Sequence, residues 1–370
     1  MKKFSLLLLT VLLVWSCTDN GPSGPDADDF DREAILVNWA DNIIIPSYTN
    51  FSEATEQLHT DAATFSEFPT ASNLLTLRTS WESAYLAFQT VSMFEIGKPM
   101  ELRYRDNLNI YPTDTTEIED NIESGSYNLE LPSLNNSQGF PALDYLLNGL
   151  AEEDTEILTF YTTHPEAENY RQYLTDLTSR IDSLTNEVLT DWTSGYRDEF
   201  VSNSGNGANS SLDMMVNDYI YYYEKHLRAG KIGIPAGVFS GSPLSSHVEA
   251  YYSGDFSKEL FNASLDATQN FFNGVHVNQP NQSGESLDDY LDYLNTMKEG
   301  TDLTTLINNQ FDAARQQASS LNPNFAAQIE SNNTAMLATY DELQMNVVYM
   351  KVDMLQALNI NVDYVDADGD

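Results

Sequence analysis

WESAYLAFQTVS, residues 81–92, settles the class of fold. Trp81, Tyr85, Phe88 and Ser92 fall at i, i+4, i+7 and i+11, one stripe of an α-helix. The pattern extends to a helix over 70–96. Outward from it, apolar residues keep the same period, and proline and glycine lie between the periodic segments. Further helices are predicted over 31–60 (interrupted near Pro46), 166–194, 212–229 (stopping at Gly230), 257–274, 302–320 and 324–358. A short one is expected in HVEAYY, with KIGIPAGVFSGSP before it as a loop. Ser257 reads as a helix cap with Phe256 and Phe261 as its staple, and Ser286 with Asp289 as a second capping pair. Residues 101–137 read as irregular, and a long loop in a compact domain is often functional. SNSGNGANSS, 202–211, is the best candidate boundary. The predicted fold is all-α: helical bundles over 31–201 and 212–360, joined by the linker 202–211 and packed together.

The chain has 370 residues, with 56 acidic against 17 basic ones and a formal charge of −39. Nucleic acid is excluded as a partner, because phosphate contacts need clustered Lys and Arg. The acidity suits a solvated, self-repelling surface, or one that gathers cations. Residues 1–17, MKKFSLLLLTVLLVWSC, form a signal segment: Lys2 and Lys3 precede an apolar run too short to remain as a membrane span. Val14 and Ser16 before Cys17 resemble a bacterial lipoprotein cleavage site, so Cys17 is the expected lipidation site. It is the only cysteine, so lipidation would leave no thiol for catalysis or ligation. Residues 18–30 read as a flexible acidic tether and 361–370 as an acidic tail. The tether resembles the surface-export signals of Bacteroidetes lipoproteins. The expectation is an outer-membrane lipoprotein of the cell envelope, periplasmic or surface-facing.

QGFPALDYLLNG, 138–149, opens a helix with Gly139 and Pro141, both suited to a first turn. Asp144 follows near the positive end of the helix dipole, beside an apolar stripe of Leu143, Leu146, Leu147 and Leu150. Glu95 lies close to the Trp81 stripe, where an acid must be paired, bound to a cation or left in water. Met215, Tyr219, Tyr222 and His226 share a stripe that is either core or a candidate iron or haem surface. Glu249, near His247, is a further candidate ligand. No His-Glu-x-x-His, phosphate loop or nucleophile elbow is present, and VDADGD ends before a calcium loop could be completed.

Four segments together resemble the imelysin-like family of bacterial envelope lipoproteins: the Trp81 helix running into SMFEIGKP, NIYPTDTTEIEDNI, GFPALDYLLNG, and KIGIPAG followed by EAYYSGDFSKELFNASLDATQNFFNG. The resemblance implies two bundle-like halves with a cleft between them, a link to iron uptake, and a metal site in Gly-x-His-x-x-Glu. Here that motif falls on Gly139 to Asp144, with Pro141 in place of the histidine and Asp144 in place of the glutamate. Proline offers a metal no side-chain ligand, so the family's peptidase role is not carried over. The expected function is non-catalytic binding in the inter-bundle cleft of a ligand or metal linked to iron uptake, iron or another divalent cation being the candidates. The expected pocket residues are Glu95, Asp144, Glu249 and Trp81, with Arg103 and Lys231 as charge partners. The alternatives are a metallopeptidase using His226 or His247 with Glu249, and an outer-membrane partner-binding scaffold. Expected partners are the membrane, through Cys17, and an iron-related ligand or outer-membrane transporter.

Overall fold

The computed structural model describes residues 28–364. The signal segment with Cys17, most of the tether and residues 365–370 lie outside the described residues. By contacts the chain divides into residues 1–30 and Asp31–Asp370, and the helices of the described residues lie in the second of these units.

Its first helices are α1 (Arg32–Asn38), α2 (Ile45–Glu67) and α3 (Ala71–Val91). Pro46 does not break the run. A wide π-turn over Trp39–Ile44 runs straight into α2, and the Asn42 carbonyl, four residues before Pro46, accepts instead from the Val277 amide at 3.0 Å. Thr70 caps α3 by accepting from the Asn73 amide at 3.3 Å. The predicted stripe is core: Trp81, Tyr85 and Phe88 are buried against α2 and the GFPALD stretch, where Phe140 stacks flat on Tyr85 with centroids 4.5 Å apart.

Residues 101–137 are not irregular throughout. They finish α4 (Lys98–Leu102) and carry α5 (Tyr104–Leu108), α6 (Thr115–Ser124) and a 3-10 turn over Pro132–Ser137. α4 and α5 are too short to show a 3.6-residue period, and in α6 only Ile118 and Ile122 carry it. Then come α7 (Gly139–Asp144), α8 (Asp154–Thr162), α9 (Ala167–Asp191) and α10 (Arg197–Ser202). Pro141 is the third residue of α7, within its first turn as expected.

The Tyr-rich helix α11 (Ser211–Tyr221) does not stop at Gly230. It runs through π-turns over Tyr222–Gly233 into α12 (Ile234–Ala236) and ends at Gly237, whose φ is +84°. HVEAYY is not a helix: a 3-10 turn covers Ser245–His247, and Ala250 is left-handed at φ +55°. Ser257 does not cap α13 (Ser257–Phe272); its hydroxyl donates to the Glu249 carbonyl at 2.8 Å. The Ser286–Asp289 capping box is present, opening α14 (Leu287–Tyr293). Then follow α15 (Leu303–Ala318), α16 (Phe325–Val347) and, after a π-turn, α17 (Leu355–Leu358). Two small antiparallel hairpins, in 275–283 and 297–302, are the sheet structure among the described residues.

The fold is all-α. α2 packs along both α3 and α9, and α15 along α16. The expected boundary at 202–211 falls inside the second unit, and α3 from before it packs directly on α13 from after it.

Candidate functional site

Side chains from before and after 202–211 meet along a buried polar axis. At its centre Lys231 donates to the Glu249 carboxylate and, at 2.9 Å, to Gln89 Oε1. Asn109 Nδ2 donates to the other Glu249 oxygen at 2.7 Å, while its Oδ1 accepts from the Tyr85 hydroxyl at 2.5 Å. Lys231 and Glu249 are 3% and 2% exposed, so this is a buried ion pair, with Gln89 and Asn109 supplying further hydrogen bonds. The axis continues through the Ser264 hydroxyl, which donates to Gln89 Oε1 at 2.8 Å, to Tyr222, which stacks on His226.

At the other end stands Arg105, also buried. Its Nε donates to the Ser92 carbonyl at 2.7 Å and its Nη2 to Asp218 at 3.2 Å. Its backbone amide donates to the Glu95 carboxylate at 3.1 Å, and Asp218 in turn accepts from the Glu95 amide. The Arg105 Nη1 lies 3.4 Å from His226 Nε2, and its guanidinium lies over the Tyr222 ring. Burial and the Arg105 and Lys231 charges hold the His226 pKa well below its usual value, so it is neutral. Burial pushes Glu95 up to about 7, against the opposing pull of Arg105, and also raises Asp218.

This end reaches solvent. A pocket of about 480 Å³ lies over Glu95 and Asp218, walled by Glu101, Glu199 and Asp363 and by the rings of Tyr196, Tyr221 and Tyr364. Neither lysine nor arginine lines it among the described residues. Gly97, at φ +64°, gives it shape: a Cβ there would lie 2.4 Å from the Tyr196 ring. The C-terminal wall is fastened by Asn217, which donates to the Asn361 carbonyl at 3.1 Å and accepts from the Asp363 amide at 3.2 Å.

The expected site residues therefore separate. Glu95 is in the open pocket. Glu249 and Lys231 form the buried pair, and Trp81 is core, its indole N–H donating to the Phe140 carbonyl at 3.2 Å. Arg103 is not a partner of the pocket acids: it turns outward in a left-handed backbone conformation and pairs with Asp106 at 2.7 Å. Arg105, two residues on, takes that place. Arg105, Asp218, Gln89 and Asn109 were missed by sequence reasoning; Asp218, one residue before the Tyr219 stripe, was the one visible signal. His247 lies in its own short turn, away from the contacts of the axis, and Glu249 is spent on Lys231 and Asn109.

Asp144 is neither a pocket residue nor merely an early-turn acid. It is 1% exposed and accepts from the amides of Tyr252 at 2.8 Å and Ser253 at 2.9 Å and from Asn148 at 3.1 Å. It fastens the turn that follows Glu249. Burial still pushes its pKa up to about 6, over the opposing hydrogen bonds. Asp144→Ala would strand two amides and is expected to cost about 2–3 kcal/mol. Chemical denaturation would measure it, with faster exchange at the Tyr252 and Ser253 amides as the local signature.

The metal site implied by Gly-x-His-x-x-Glu does not fit these residues. Pro141 is buried and carries no donor, and the Asp144 oxygens are already occupied. Among the described residues, no group of three or more His, Cys, Asp or Glu is placed to hold a metal ion.

An all-helical body with a charged axis through its middle and an acidic pocket at one end defines the class. The imelysin family profile matches residues 44–349, and the chain belongs to that family. Among solved structures, an imelysin-like protein from Psychrobacter arcticum is 17% identical with a TM-score of 0.70, covering 92% of this chain and 100% of its own. A protein from Parabacteroides distasonis, described as a putative iron-regulated protein A precursor, is 16% identical with a TM-score of 0.69, covering 90% of this chain and 97% of its own. At these identities the likeness is one of fold. No curated protein matches the chain.

Proposed function

We propose that this imelysin-family chain is a lipid-anchored protein of the bacterial cell envelope that binds without catalysis, holding a cation linked to iron uptake in the pocket over Glu95 and Asp218. The observation that carries the reading is the lining of that pocket: five carboxylates and three tyrosines, with no lysine or arginine among the described residues. No three of these carboxylates are placed to ligate one ion together, so they would act on a hydrated cation by charge rather than as a ligand set. Because Glu95 and Asp218 are already engaged by Arg105, the cation is held largely by charge, with part of its water shell retained. The chain's formal charge of −39 raises the local cation concentration. The iron link rests on the name of the Parabacteroides neighbour, and the anchor on the sequence at Cys17.

The test is equilibrium dialysis of the chain from Thr18 onward against trace iron, zinc and calcium, beside a Glu95→Gln, Asp218→Asn variant. Retention of about one equivalent, weakened at least tenfold in the variant, is the expected result, the tenfold corresponding to about 1.4 kcal/mol. Equal retention by both proteins, or none, would refute the reading. The pH dependence follows from Glu95. With its pKa pushed up to about 7, a proton competes with the cation below that pH, so affinity is expected to rise from about pH 6 to 8 and then level. Glu95→Gln should flatten this profile while keeping an oxygen for the Arg105 amide.

A further inference from the structure

Away from the acidic pocket, Arg180 on α9 holds an unusual position for an arginine. Arg78, Arg103, Arg105, Arg197 and Arg315 each have a carboxylate within ion-pair distance. Arg171, without one among the described residues, is turned onto the Tyr161 carbonyl. Arg180 likewise has no carboxylate partner among the described residues, yet it faces a pocket. Its Nε donates to Gln138 Oε1 at 2.6 Å and its Nη2 to Asn107 Oδ1 at 2.8 Å. Both acceptors are neutral and buried, and Gln138 is itself fixed by donating to the Leu129 carbonyl at 3.0 Å and to Asn135 Oδ1 at 3.2 Å. One edge of the guanidinium, Nε–H and Nη2–H, is thus locked, and its Nη1 takes no acceptor among the described residues.

The guanidinium lines a pocket of about 480 Å³ formed by 127–130, part of the segment singled out as a functional loop, and by one face of α9. Tyr127, Asn128, Ser179 and Ser183 add polar groups, and Glu130 and Glu187 add negative charge. Asp176 is already used, accepting from Tyr127 and Gln172 at 2.7 Å each. Desolvation lowers the Arg180 pKa, with Glu130 opposing it, so Glu130 is the acid whose charge the guanidinium feels.

This arrangement selects a ligand. One oriented guanidinium N–H edge suits a single carboxylate. A multiply charged anion such as phosphate would be repelled by Glu130 and Glu187, whereas an ammonium group on the same ligand would be attracted by them. The volume falls in the range of small-ligand sites. We propose that the Arg180 pocket binds a small zwitterion of the amino-acid class, its carboxylate on Arg180 and its ammonium toward Glu130.

The test is calorimetric titration, at low salt, of the chain from Thr18 onward with L-alanine, L-leucine and the dipeptide Ala-Ala, against propionate and inorganic phosphate. The expected result is saturable binding of at least one zwitterion, at least tenfold tighter than either control. Arg180→Gln should weaken it at least tenfold. Because that change also removes two buried hydrogen bonds, Glu130→Gln is the second variant: Glu130 is exposed, so its fold is unaffected. It should weaken the zwitterion severalfold and leave propionate no weaker, since Glu130 attracts only the ammonium and repels a lone carboxylate. No saturable binding of any of the three zwitterions, tighter binding of phosphate, or zwitterion binding indifferent to Glu130→Gln would each overturn the proposal.

Discussion

Lys231→Met is expected to destabilise the protein by about 3–5 kcal/mol, the cost of leaving a buried carboxylate without its partner. Glu249 is 2% exposed, and Lys231 is the one cation within ion-pair distance of it among the described residues. Asn109 and, at 3.5 Å, Gln89 would still donate, but two neutral amides do not compensate a full charge at that depth. Gln89 Oε1 would lose the lysine donor and keep only the Ser264 hydroxyl. Against a total stability of about 5–15 kcal/mol, the loss is a large fraction of the whole. The measurement is chemical denaturation at neutral pH. Lys231→Met combined with Glu249→Gln separates the charge from the packing: neutralising both partners should restore more than half of the loss, because no charge is then stranded. Failure of the double variant to recover would show that the hydrogen bonds of the ammonium, to Gln89 above all, rather than the stranded charge, hold this region.

Gly139→Ala should be nearly as damaging, at about 3 kcal/mol or more, the range of severe backbone and packing defects. Gly139 has φ +75°, a region that costs an L-residue roughly 1–2 kcal/mol. The larger effect is steric. A Cβ there would lie 2.2 Å from the Leu108 carbonyl oxygen and 2.9 Å from that of Asn107. Both are backbone atoms, so no side-chain rotation relieves the clash, and either α5 or α7 must move. That movement would carry Phe140 off the Tyr85 ring and pull Gln138 from Arg180. Gly205→Ala, where the new methyl group meets nothing within 4 Å, is the control and should change the denaturation midpoint little. A Gly139→Ala variant as stable as that control would mean that α7 does not approach α5 this closely.

The two arginines of LRYRD show where sequence reading ends. Arg103 and Arg105 are the same residue type, two positions apart, in a segment with no periodic pattern. One is exposed and pairs locally with Asp106; the other is 6% exposed and holds Glu95 and Asp218. In a long helix the 3.6-residue period fixes which face is buried, so the Trp81 stripe could be assigned to the core without a structure. In helices of five residues, such as α4 and α5, the phase is set by what they dock against. HVEAYY failed for the same reason: its local pattern permits a helix, but Asp144, more than a hundred residues earlier, takes the Tyr252 and Ser253 amides and holds the chain in a turn.

The sequence by itself determined the all-helical class, the Trp81 core stripe and the resemblance to a family, because these depend on local periodicity and on motifs read along the chain; why residue 139 must be glycine was decided by the approach of the Leu108 carbonyl. It also picked out Glu95 as an acid beside an apolar stripe, Asp144 as an early-turn acid and Glu249 as a candidate ligand. Tertiary structure alone decided what each acid does. Desolvation and charge pairing depend on distance through space, and only the packed fold leaves Glu95 at the mouth of a pocket, closes Glu249 onto Lys231, and uses Asp144 to fasten a turn.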